Sequence, residues 1–420
     1  MPYTLLRGEF VIRYPDLPRQ GPEPDGDTIK FRPDTPSLVE GLPRPSGTPP
    51  DLDARGISVR LEAIDALETH FAESHQELAG ANAARDSLLA QLGFTGVRFF
   101  DDAPNKVESA DQDAIRGHVL SSGVDGNGRL VAFVYAGDHP APDGASVFVD
   151  EDLVDASVNA RLLADGHAYP TFYTTLPSSL RRHLTPVSEA ARAAGSRLWA
   201  RSTADPDGAA TVPDLEAAEA LVMWPKLFRR IVPYLAAGFA DFDRFDAWLR
   251  ADPVNRDDAL FFVDTLAPGN LHDVIRAEGS QVRLMVWPET FVIVPDPAPP
   301  GAPTGGTPVA VGDVLIVAAL PDPSGVDEGA ETVTLLNAAA APVDLDGWAL
   351  VDAAGGRHRL EGALAAGAVA QVPVGPALRL GNRGDALVLV DAGGRTVDQV
   401  SYPADRVQAG RTIAFGRQVQ

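Results

Sequence analysis

The stretch PDPAPPGAPTGGTP at 295–308 limits the fold more than any other feature of the chain. Proline removes a backbone donor and fixes φ, and clustered glycine raises the entropy of ordering, so neither a helix nor a strand ladder runs through such a segment. It reads as a linker, and the parts on either side must bury separate cores. A second break, STADPDGAATVPD at 202–214, again replaces periodic patterning with turn residues. The expected division of the 420 residues is 1–203, 204–300 and 301–420.

Patterning differs among the three parts. The first mixes alternating runs, ISVRLEAI (57–64), TGVRFF (95–100), AIRGHVLSS (114–122) and RLVAFVYAG (129–137), with helical ones at 69–93, 152–166 and 184–200. Strands that precede the last helices predict a small barrel of the OB type with helices packed on its side. The middle part, with DLEAAEALVMW, PKLFRRIVPYLAAGF, DRFDAWLRA and RDDALFFVDTLA, predicts a mostly helical domain closed by a short strand pair. Its aromatics recur at helical spacing, as a core requires, and no chemistry is assigned to it. The last part is all strands and turns, with turn signals every 8–12 residues, which predicts an immunoglobulin-like β-sandwich.

Composition narrows the function. A formal charge of −23 argues against a binder that holds nucleic acid or anionic lipid by bulk attraction, so a polyanion would need a local basic site. The absence of cysteine excludes disulfides, thiolate metal sites and a thiol nucleophile. No apolar run reaches the ~18 residues of a membrane span, and the start MPYTLLRGEF has no signal-peptide core, so a cytoplasmic location is expected, with export as the alternative. His70 and His75 stand five apart, on different helix faces, unlike the four-residue spacing of a zinc-protease helix. No GxSxG elbow marks a serine hydrolase.

Three clusters could carry chemistry. PDGDTIKF (24–31) places Asp25 and Asp27 around Gly26 at a turn into a strand, RLEAIDALE (60–68) brings Arg60, Asp65 and Glu68 to a strand end, and DGNGRLVAFVY (125–135) delivers Arg129 from a tight turn. Each alone is equally an ordinary solvated turn or strand end. The ordered set DGDT, RLxxIDxxE, GRxxAxVY and VNxxLLxxGxA (158–168) resembles the thermonuclease (staphylococcal nuclease-like) domain, over roughly residues 8–201.

That resemblance implies a calcium-dependent nuclease that hydrolyses DNA or RNA phosphodiesters with low sequence specificity. It makes Asp27, Asp65 and the Ala66 carbonyl the ligands of Ca2+, Glu68 the general base, and Arg60 and Arg129 the phosphate clamp. A guanidinium matches two phosphate oxygens and keeps its charge, which lysine does not equal. Tyr169, Phe172 and Tyr173 stand where relatives stack a nucleotide, with Pro170 disturbing the register. Three departures are a Pro-rich insertion at 33–56, expected as a loop beside the site, Ala66 where many relatives have Thr, and the stretch 139–153, which lengthens a hairpin and adds the negative charge of Asp150, Glu151 and Asp152. The alternative is a non-catalytic nucleic-acid- or protein-binding scaffold on the same barrel. Residues 319–402, with Glu331, Asn337, Trp348, Asp352, Asp385 and Asp391, resemble a lamin-tail domain, which implies a tethering role with an unknown partner.

Overall fold

The computed structural model describes residues 3–44, 47–252, 255–295, 314–324, 330–338, 343–365 and 367–415. The expected linker lies outside them, apart from Pro295. Five strands close a barrel. β1 (Tyr3–Val11), β2 (Thr28–Pro33), β3 (Ile57–Leu61), β5 (Ala114–Val124) and β6 (Leu130–Ala136) pair in the order β1-β2-β3-β6-β5-β1. Every pairing is antiparallel except β3 with β6, where Arg60 lies opposite Val131. A closed five-stranded barrel with helices is the architecture expected of the first part. Its interior is filled by buried apolar residues, among them Leu5, Phe10, Phe31, Val59, Leu120 and Phe133, and β1 lies in a stretch that the sequence pattern does not mark as a strand.

Short elements outside the barrel position the site. β4 (Ile64–Ala66) follows β3 after a corner at Ala63, whose φ of 73° is uncommon for a residue with a Cβ. α1 (Leu78–Leu92) is shorter than the 69–93 run predicts. It starts where the Glu77 carboxylate caps the amide of Gly80 and ends at Gly93, with φ 102°. The 152–166 run is split by Ser157, whose hydroxyl caps α2 (Val158–Ala164). β7 (Ala168–Pro170) pairs with β4 and sets Tyr169 opposite Asp65, and α3 (Ser178–Ala193) packs on the barrel side. Within the Pro-rich insertion, Val39 and Leu42 are buried, the Pro43 carbonyl accepts from Val124 and Asp51 donates to Gly128, so it lies against the turn that carries Arg129.

The middle part corrects the expectation of a mostly helical domain. α4 (Pro225–Ala236) is a full helix, flanked by shorter ones at Leu215–Glu219 and Phe245–Arg250. The second half forms two three-stranded sheets, and the run RDDALFFVDTLA contains the strand Ala259–Phe262. Its apolar stretch is too short for periodicity to separate strand from helix, and its aromatic and β-branched residues favour the strand. Nor does this part keep a core of its own. Trp224, Phe228 and Phe291 pack in one cluster with Leu67, Ala81, Tyr169 and Trp199 from the barrel side.

The C-terminal part has two four-stranded sheets, with strands Val369–Pro373, Thr332–Asn337, Val314–Leu320 and Ile413–Ala414 facing Arg357–Arg359, Ala349–Asp352, Gly384–Val390 and Thr396–Pro403. Trp348 is buried in its core. Glu331, Asn337, Asp352 and Asp385 each accept from or donate to backbone at a turn or strand end, which gives them structural work. Among the described residues no helix is long and apolar enough to cross a membrane.

Candidate active site

The acidic cluster is assembled by neighbouring strands. The β2–β3 register places Thr28 opposite Arg60, and the Leu61 amide donates to the Asp27 carbonyl at 2.8 Å, so Asp27 and Arg60 emerge side by side. The corner after β3 then turns Asp65 back towards them. Arg60 spans the two acids, with Nη1 2.9 Å from Asp27 Oδ2 and Nη2 3.0 Å from Asp65 Oδ1. The Ala66 amide donates to Asp27 Oδ2 at 3.0 Å, and the Asp27 amide donates to Asp25 Oδ1 at 3.0 Å. Gly26 fits between Ala66 and Ala84, because a Cβ there would lie 2.5 Å and 2.7 Å from their methyl carbons.

A second guanidinium completes the cluster, and it comes from the middle part. Arg229 on α4 places Nη2 2.7 Å from Asp65 Oδ2 and Nη1 3.2 Å from Asp65 Oδ1, and Nη1 also donates to Glu68 Oε1. Both Asp65 oxygens are therefore taken by arginine. Burial pushes the Asp65 carboxyl up, but the charges of Arg229 and Arg60 outweigh burial and hold it well below the usual carboxylate range. Glu68 moves the other way, raised by burial against the pull of Arg229. Asp25 is raised by burial and by the charges of Asp27 and Glu68.

Beside the cluster lies a pocket of about 130 Å³. Its lining includes Arg60, Arg129, Glu62, Ser122, Thr171 and Tyr173. Arg60 is the residue shared by the pocket and the acidic cluster; Asp27, Asp65 and Glu68 are not in the lining. Arg129 reaches the pocket wall while held by Asp125, with Nε and Nη2 each 2.8 Å from Oδ2 and its amide 2.9 Å from Oδ1. The tail repeats this arrangement at its own Asp-x-x-Gly-Arg turn, where Asp391 holds Arg395 by its amide and Nε. The Asp–Arg staple is thus a property of the turn, and lining the pocket is what sets Arg129 apart.

The three aromatic candidates separate. Tyr169 and Phe172 are fully buried, Tyr169 with its hydroxyl on Ser202 and the Val222 carbonyl, so both are core residues and offer no face to a ligand. Tyr173 lines the pocket, with Lys226 of α4 5.6 Å from its ring centre. Ala66 is buried, and its amide faces away from β7, towards Asp27.

The all-oxygen set of Asp27, Asp65, Glu68 and the Ala66 carbonyl has the chemistry of a hard-cation site. The arrangement present does not fit a metal. Arg60 and Arg229 take both oxygens of Asp65, Oδ2 of Asp27 and Oε1 of Glu68, and among the described residues no group of three or more His, Asp or Glu side chains is placed to hold a metal ion.

The pattern reading has no place for Arg229, because it lies 161 residues from Glu68 in a segment that reads as core. A signal was present. Lys226, Arg229 and Arg230 stand at i, i+3 and i+4, on one face of an otherwise apolar helix, and such a row of cations on a buried face requires acids opposite. Asp258 answers Lys226 and Arg230 at 2.7 Å each, and the acidic cluster answers Arg229.

The fold and site thus define a closed barrel with an arginine-lined pocket, joined to a β-rich tail. Residues 307–404 match the lamin tail domain, which establishes the C-terminal part as that domain. No curated protein matches the chain.

Proposed function

We propose that the barrel is a phosphodiesterase that cleaves DNA or RNA with low sequence specificity. The observation that carries this is the double placement of Arg60, which joins a cluster of carboxylates to a pocket whose wall also holds Arg129 and Tyr173. Two guanidiniums across a small pocket can bind the non-bridging oxygens of a phosphodiester and stabilise charge that builds on them in the transition state. Tyr173 supplies a face for a base, and base stacking is sequence-tolerant. Glu68 suits the general base. Its side chain is the least buried of the three acids, 15% exposed against 8% for Asp27 and 0% for Asp65, and its raised pKa favours accepting a proton from water.

A second reading, a non-catalytic nucleic-acid- or protein-binding module, is favoured by the engagement of Asp65 and Glu68 with Arg229. Incubation with single-stranded DNA and RNA, in calcium or in chelator, separates the two. Cleavage that disappears in Glu68→Ala and Arg129→Ala supports the enzyme, and the chelator arm shows whether a metal takes part. Binding without cleavage supports the module.

A further inference from the structure

Arg229 occupies the position that a cation would take in the acidic cluster. Its planar fork covers both oxygens of Asp65 while one nitrogen also serves Glu68, the bidentate geometry for which arginine is suited. The helix that delivers it is anchored. Leu227, Phe228, Ile231, Val232 and Tyr234 of α4 are buried in the core that also contains Leu67 and Tyr169, the neighbours of the site in sequence and in the β4–β7 ladder. Withdrawing the guanidinium alone would leave Asp65, fully buried, with half its compensation, which is costly for a buried ion pair. A divalent ion would have to compete for the same oxygens in a cluster where two guanidiniums already oppose the carboxylates of Asp27, Asp65 and Glu68.

We propose that Arg229 is the resident cation of the acidic cluster and that it excludes divalent metal ions from Asp65 and Glu68 while α4 is docked. This rests on reading the cluster as a cation-holding site, and it makes the middle part a component of that site.

The test is calcium titration by isothermal calorimetry on the full chain, for wild type, Arg229→Ala and Arg229→Lys, with Glu68→Gln added to each to locate binding. The expected result is no saturable Glu68-dependent binding up to millimolar calcium in wild type. Arg229→Ala gains one such site, tighter than any wild-type binding by roughly tenfold or more. Arg229→Lys keeps a charge but loses the fork, preserves folding if the alanine variant does not fold, and falls between the two. Saturable wild-type binding that Glu68→Gln abolishes overturns the proposal, as does a folded Arg229 variant with no gain. The measurement is independent of cleavage: a cluster that gains calcium in a protein without nuclease activity upholds this inference and removes the enzyme reading, and cleavage with no gain does the reverse.

Discussion

Glu62 offers a test of the barrel that needs no assumption about function. It follows β3, is 4% exposed, and lines the pocket. Neither carboxylate oxygen closes a hydrogen bond of good geometry, and the Tyr3 hydroxyl is likewise unsatisfied. Burial lifts its pKa from 4.5 to about 7, with the hydroxyls of Ser122 and Tyr3 acting in the opposite direction. Tyr3 of β1, Ser122 of β5 and Tyr135 of β6 are the polar groups that interact with it. Because the folded state holds this proton more tightly than the unfolded chain, the stability that Glu62 contributes is greatest below about pH 4.5, falls as pH rises through about 7, and is level above that. The total loss, at 1.36 kcal/mol per tenfold change in proton affinity, is about 3 kcal/mol. Glu62→Gln removes the titrating group, so its advantage over wild type should grow by about 3 kcal/mol between pH 4.5 and pH 8. Urea unfolding at both pH values, read from amide protection in β3 and β5 so that the tail's own transition does not enter, measures this. Parallel wild-type and variant curves would refute the reasoning, because they would mean the carboxyl is solvated or paired.

Asn159 is buried, with Oδ1 accepting from the Val134 amide and Nδ2 donating to the Glu62 and Ala132 carbonyls at 3.0, 2.9 and 3.0 Å. Asn159→Ala removes these bonds from the Val134 amide and the Glu62 carbonyl, while the Ala132 carbonyl keeps its bond from the Glu62 amide, and should cost about 3 kcal/mol in urea unfolding. Gly26→Ala forces a methyl against Ala66 and Ala84 and should lower barrel stability by about 1–3 kcal/mol in thermal melts, with the separation of α1 from β4 as the cause. Removing residues 301–420 should leave oligonucleotide affinity unchanged, since the tail meets α3 through Ser178, whose hydroxyl donates to the Gln399 carbonyl at 3.1 Å, and none of its described residues lines the pocket. A folded truncation with weakened binding would contradict that.

The local part of the site was legible because its residues are close in sequence. Arg60, Asp65 and Glu68 lie within nine residues on β3, β4 and the loop that follows it, and strand pairing adds Asp27. What a spacing cannot carry is direction and distant partners. Aromatic character gave no means of separating Tyr173, at the pocket, from Tyr169 and Phe172, in the core, because β7 ends at Pro170 and strand alternation is lost beyond it. Arg229 required knowledge that α4 docks on the barrel, a tertiary contact that helical periodicity on α4 alone does not specify. The strand at Ala259–Phe262 was missed for a local reason, since a four-residue apolar run fits either period.

The central claim is that the pocket between Arg60 and Arg129 recognises phosphate. Fluorescence anisotropy with a short single-stranded oligonucleotide, in chelator so that cleavage and metal play no part, measures it directly. The account predicts that Arg129→Gln weakens binding roughly tenfold, as loss of a charge-assisted phosphate contact implies, with a shallower salt dependence than wild type. Equal affinity and equal salt slope in a folded Arg129→Gln protein would contradict it.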